Sequence, residues 1–185
     1  PGVLADITRI FADLSISIPY GTRVLVSGPN ESAKLALFRA TAGIWEDGTG
    51  RIRRPSTDEI MFLAERPYIP PGTLRQVLLR RGQEDDVPEE RIALVLKELG
   101  LDPVLEREGD LDVERDWHSA LSLGEQQLLA VARIALAAPR FALLQRIGTT
   151  LGAEQVALSL KLLSAASITY LTLGESNSCP EQYDA

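Results

Sequence analysis

The chain has few of the residues that build metal centres or covalent cross-links. Its 185 residues include one cysteine, Cys179, and one histidine, His118. A single thiol allows no internal disulfide, which suits a reducing compartment. Nothing gives Cys179 a reason to be reactive, and His118 reads as a surface loop residue rather than a ligand. No apolar run approaches the roughly 20 residues of a membrane-spanning helix. Bases are outnumbered, 19 against 26 acids, for a net charge of −7. That balance disfavours nucleic-acid binding. Internal repeats and low-complexity tracts are missing too. What is there suits a soluble globular fold: 45% hydrophobic and 24% charged residues, over a length that fits one domain with its own core. The chain begins abruptly and its last strand-like segment lies near its end, so it reads as a domain cut from a longer protein.

The most informative stretch is Gly28-Pro29-Asn30-Glu31-Ser32-Ala33-Lys34-Leu35. Before it, Arg23-Val24-Leu25-Val26-Ser27 reads as a short buried strand. After it, residues 36–43 read as a helix closed by Gly43. Strand, glycine-started loop, lysine and helix form the layout of a phosphate-binding P-loop. The pattern G-x-x-x-x-G-K-[ST] is only partly kept. Gly28 and Lys34 are in register, but Ala33 stands at the second glycine and Leu35 at the magnesium-binding hydroxyl. Lys34 and the N–H groups at the helix start can still meet an anion. Gly28, Asn30, Ser32, Ala33, Lys34 and Leu35 are therefore the candidate nucleotide-binding residues. Ala33 brings a methyl group where backbone and phosphate must approach, and it is strained if φ there is positive. Glu31 adds an acid beside the phosphate position.

Elsewhere, alternation over residues 14–18 predicts a half-buried antiparallel strand, turned by Tyr20-Gly21. Residues 50–53 suggest another short strand and residues 59–64 a stronger one. The proline-rich run from Glu65 to Gly72 ends the strand pattern. From Thr73 to about Ala137 the reading is helical. Thr73 is the expected N-cap of a first helix. Pro88, Glu89 and Glu90 open a second, whose Ile92, Val95, Leu96 and Leu99 share one face before Gly100 stops it. Residues 124–137 form a third, ended by Pro139. A strand at 140–144, a helix at 153–165 and a strand at 168–173 follow. The pattern predicts an α/β layered domain of P-loop type: a mixed sheet with helices over residues 1–66 and 138–185, and a helical subdomain at about 67–137.

The second informative stretch is Leu121-Ser122-Leu123-Gly124-Glu125-Gln126-Gln127, followed by a helix. It resembles the signature loop of ATP-binding cassette (ABC) proteins. A P-loop with this signature about ninety residues later, and a strand after that, is far more specific than a P-loop alone. Asp116-Trp117, Phe62-Leu63-Ala64-Glu65-Arg66-Pro67-Tyr68 and Pro71-Gly72-Thr73-Leu74-Arg75 are most similar to the peroxisomal fatty-acyl half-transporters and their bacterial relatives. The resemblance implies an ABC nucleotide-binding domain on the cytoplasmic face of a membrane, served by a transmembrane domain of the same or a partner chain. It also implies pairing with a second cassette, with two ATP molecules sandwiched between P-loops and opposite signatures. Ser122, Gly124 and Glu125 would then face ATP held by the partner. They can equally cap the helix that follows, with Glu125 in its first turn.

The departures bear on chemistry. Hydrolysis needs a magnesium ion on the phosphates and a base for water. The family's hydroxyl is Leu35 here, and its Asp-Glu pair after the second motif strand is Gln145-Arg146. Gln145 carries no charge for a metal, and Arg146 cannot accept a proton. Glu65 stands at the Q-loop glutamine, Glu175 at the switch histidine, Gly152 at the D-loop aspartate and Leu128 at the arginine usual after the signature glutamines. Arg146 is placed to pair with Glu65 or Glu31 and so occlude the catalytic position. Tyr20 lies too near the strand to stack on adenine, and Trp45 and Trp117 read as packing anchors.

These residues lead to two expectations. In one, the domain is a degenerate cassette with no catalytic residue of its own. It holds ATP weakly, holds no Mg²⁺, and lends its signature to a partner. In the other, it is a nucleotide-free scaffold for a transporter-like membrane protein.

Overall fold

The computed structural model describes residues 15–45, 50–83, 86–174, 181 and 183–185. In chain order the elements are β1 (Arg23–Val26), α1 (Glu31–Ala42), β2 (Ile60–Leu63), β3 (Gly72–Thr73), α2 (Leu74–Leu78), α3 (Glu89–Glu98), α4 (Asp102–Glu108), β4 (Glu114–Arg115), α5 (Trp117–Ala120), α6 (Leu123–Ala137), β5 (Phe141–Leu144), α7 (Ala153–Ala165) and β6 (Thr169–Leu173). The central sheet has the order β1-β6-β5-β2, and every pairing in it is parallel. Its middle strands, Phe-Ala-Leu-Leu and Thr-Tyr-Leu-Thr-Leu, are mostly or wholly buried, as expected when helices cover both faces.

Side-chain alternation sorts the strands onto two faces. Val24, Ile60, Leu143, Leu171 and Leu173 meet Phe38 and Ala42 of α1. Leu63, Ala142, Leu144 and Tyr170 lie in a second cluster with residues of α6 and α7. That cluster continues through α6 into the helical stretch, taking in Leu74, Leu78, Ile92, Val95, Leu96 and Trp117. The register pairs Leu63 with Leu144, Leu144 with Thr172 and Val26 with Leu173. The carboxyl ends of all four strands therefore finish side by side, which is where ligands of open α/β sheets bind.

Several sequence signals act as expected. Thr73 caps α2, accepting from Gln76 N at 3.2 Å while Gln76 Oε1 accepts from Thr73 N at 3.1 Å. The Ile92, Val95, Leu96 and Leu99 stripe is buried, and Gly100 takes a left-handed φ of 68°. Trp117 is fully buried and its Nε1 donates to Gly72 O at 2.8 Å.

Other expectations are corrected. Residues 15–18 form no strand, because alternation gives no ladder without a partner; Ile16 is exposed and only Ile18 touches the core. Leu14 lies outside the described residues. Residues 50–53 are exposed and unpaired in a sheet. The stretch after Thr73 is not wholly helical. Gly72 and Thr73 pair antiparallel with Arg115 and Glu114, a ladder too short to leave a periodic signal. Among the described residues, the antiparallel pairing of this mixed α/β fold thus lies outside the central sheet.

Candidate functional site

The P-loop stretch leaves β1 through Gly28, whose φ of 149° is open to glycine and strained for other residues. It then departs from expectation. The helix begins at Glu31, five residues before the apolar run suggested. Asn30 is the reason: its Oδ1 accepts from Ala33 N at 2.9 Å, and Glu31 follows as an acid in the first turn, favourable to the helix dipole. Ala33 is consequently an ordinary buried helical residue, without positive φ, and the strain foreseen for it does not arise. Ser32 is exposed in the same turn. Leu35 packs against the apolar cluster beneath α1.

Lys34 is the decisive side chain. It is 5% exposed, so its charge must be matched inside the protein. Its Nζ donates to Gly174 O at 2.7 Å and meets Glu31 Oε1 at 2.6 Å. Glu31 Oε2 accepts from Arg146 Nη2 at 2.8 Å. Arg146 Nη1 lies 3.8 Å from Glu65 Oε2. Two cations and two anions thus form one chain across the carboxyl edge of the sheet. Lys34 lies in the first turn of α1, after β1; Gly174 follows β6, Arg146 follows β5 and Glu65 follows β2. Lys34 and then Arg146 hold the Glu31 carboxyl below the usual carboxylate range. Arg146 also sits at a left-handed φ of 47°, a backbone state that costs a non-glycine residue about 1–3 kcal/mol.

Gln145 continues the sheet, its N–H donating to Leu63 O at 2.8 Å. The loop carrying Glu65 is tied down by Gln127. Fully buried in α6, Gln127 donates through Nε2 to Glu65 O at 2.8 Å and accepts through Oε1 from Thr150 Oγ1. Sequence reading placed Gln127 in the signature without a role. The available signal was a pair of glutamines early in a mostly apolar helix. The Gly174 carbonyl had no sequence signal, since its role depends on strand order.

The signature loop is closed on itself. Ser122 caps α6, its Oγ accepting from Glu125 N at 3.3 Å, while Glu125 Oε2 accepts from Ser122 N and Oγ at 2.8 Å each. Arg107 Nη2 donates to Glu125 Oε1 at 3.1 Å. Burial pushes the Glu125 carboxyl up, but the bonds from Ser122 and Arg107 outweigh it and leave it below its usual range. Gly124 lies against the turn after β5: a Cβ there would stand 3.7 Å from Thr150 O. Gly152 caps α7 and is exposed, and Leu128 is core. His118 is exposed. Tyr20 sits under the Arg140 guanidinium, 5.8 Å from the ring centre, before β1 and so at the opposite end of the sheet from Lys34. Glu175 lies outside the described residues.

The ABC transporter family model matches residues 11–145. The chain belongs to the ABC transporter family. This cassette is 36% identical over 162 residues to an uncharacterised ABC transporter ATP-binding protein of Synechocystis, covering 88% of this chain and 24% of that protein. It is 39% identical over 140 residues to human ATP-binding cassette sub-family D member 3, covering 73% of this chain and 21% of that protein. Against Arabidopsis ABC transporter D family member 1 the identity is 36% over 170 residues, covering 85% and 13%. The chain thus spans less than a third of the curated relatives it matches. No described helix is long and apolar enough to cross a membrane.

ABC domains bind ATP, and the family's chemistry implies Mg²⁺. The residues here do not fit the ion. Leu35 packs against the apolar cluster beneath α1, Gln145 carries no charge where the metal's carboxylate belongs, and Arg146 brings a cation beside that position. At the phosphate position, Lys34 is already paired with Glu31.

Proposed function

We propose that this chain is the non-hydrolysing cassette of an ABC transporter, holding ATP weakly and lending its signature loop to a competent partner cassette. One observation carries this reading: Arg146, at the position of the family's catalytic base, is ion-paired to the same carboxylate that neutralises the P-loop lysine. A fixed cation cannot take a proton from water, and a neutralised lysine attracts phosphate weakly. The signature, in contrast, keeps Ser122 and Gly124 at the start of a 15-residue helix, where the dipole favours an anion. The cassette would work on the cytoplasmic face of a membrane, against a transmembrane domain and a second nucleotide-binding domain. Glu175 and Glu65, at the switch and Q-loop positions, supply no substitute base in this reading.

The competing reading, a nucleotide-free scaffold, draws on the capping box, because Ser122 Oγ is already engaged by Glu125. A reconstituted transporter carrying changes in this cassette alone separates the two. Ser122→Arg and Gly124→Asp should lower ATP turnover strongly and Lys34→Ala should lower it less. The space beside Gly124 accommodates a Cβ at ordinary contact distance, whereas Ser122→Arg also removes the cap of α6, so thermal melts of both variants separate a loss at the nucleotide from a loss of fold. Unchanged turnover in both signature variants would reject the donated signature and leave the scaffold.

A further inference from the structure

The ion-pair chain has a geometry that a plain surface salt bridge lacks. Each oxygen of one carboxylate serves a different cation, Oε1 to Lys34 and Oε2 to Arg146. Bridging a lysine and an arginine through two oxygens of one anionic centre is how a phosphate group would sit there. Glu31 is also well placed to leave. Its side chain is 55% exposed while that of Lys34 is 6% exposed, so the anion faces solvent and the ammonium is fixed. Removal of the Glu31 charge takes away the anion that Lys34 and Arg146 share, and leaves two cations aimed at the same point.

We infer that Glu31 is the resident anion of a metal-independent oxyanion site made by Lys34 and Arg146, whose external ligand is a polyphosphate chain free of divalent metal. Arg146 supplies there the positive charge that Mg²⁺ supplies in a hydrolysing cassette, and Glu31 competes with the ligand from within. The inference rests on the proposed function only in putting the phosphate position at Lys34. It does not depend on signature donation or on a partner.

Calorimetric titration of this cassette with sodium tripolyphosphate and with ATP, both in EDTA, tests it. The parent protein should bind both feebly. Glu31→Gln, which keeps the side chain's size, should tighten both by about tenfold or more, because one charge is removed from a contact under 3 Å. Glu31→Asp keeps a helix-favourable acid in the first turn but is one methylene too short to span both cations, so it should give a smaller gain. Its fold is under little threat, which keeps the test decisive if the glutamine variant is unstable. Adding Arg146→Ala to Glu31→Gln should return affinity to the parent level, and millimolar Mg²⁺ should not tighten binding to Glu31→Gln. The inference is overturned by no gain in the folded Glu31 variants, by a gain that survives loss of Arg146, by a gain that needs Mg²⁺, or by a gain confined to ATP. Failure here leaves the transporter assay of the signature variants untouched, and the reverse also holds.

Discussion

Replacing Gln127 with methionine, which has nearly the same length and no amide, should uncouple the loop bearing Glu65 from the turn bearing Thr150. Gln127 has no exposed surface and both ends of its amide are engaged, to Glu65 O and to Thr150 Oγ1. Losing a buried partner costs about 1–3 kcal/mol per stranded group. Thr150 is only half-buried and Glu65 is partly exposed, so water recovers some of this and the total should be about 2–4 kcal/mol. At about 2–4 °C per kcal/mol for a domain of this size, the thermal midpoint should fall by roughly 4–15 °C. The neighbouring Gln126 is the internal control. It is also buried and donates through Nε2 to His118 O and Leu121 O at 2.9 Å each, but its Oε1 makes no hydrogen bond among the described residues. Gln126→Met removes an unsatisfied oxygen along with two bonds and should cost less. Thermal melts followed by circular dichroism give both values. A Gln126→Met loss equal to or larger than that of Gln127→Met would refute the reasoning, because burial alone would then explain both.

Two further outcomes are expected. The cassette alone should release no phosphate above a Lys34→Ala control; restoring one position should not rescue turnover, whereas Leu35→Ser, Gln145→Asp and Arg146→Glu together restore the ligand set that the metal and water need. The second outcome concerns Asp184, which lies beside the edge of β1 and accepts from Arg23 Nε at 3.0 Å, Nη2 at 2.6 Å and the Arg23 N–H at 2.9 Å. Those bonds lower its pKa from 3.8 to about 2. A folded value below the unfolded one means the stabilisation is present above about pH 4 and is lost as pH falls toward 2. The pair is exposed, so the effect should be small. Urea midpoints of the parent and Asp184→Asn should differ at pH 5 and converge by pH 2, and a gap that stays constant would contradict the assignment.

The sequence by itself determined what local chemistry can specify. Capping residues, helix faces and closing glycines are short-range signals, so Thr73, the Ile92 stripe, Gly100 and the Ala153–Ala165 helix were legible without coordinates. The P-loop and signature patterns were legible for the same reason, as were the residues they lack. Local signals misled where an element needs a distant partner: the alternation at residues 15–18 found no strand to pair with. Even the start of α1 was misplaced, because one hydrogen bond from Asn30 outweighed the absence of an apolar pattern before Ala36. Tertiary structure alone decided which charges meet. Glu31 and Arg146 are 115 residues apart in sequence, and the sequence offered Arg146 two possible acids. The parallel order β1-β6-β5-β2 sets four strand ends side by side. A carboxylate on the first turn of α1 is thereby brought between the lysine that should hold phosphate and an arginine where the catalytic base would stand.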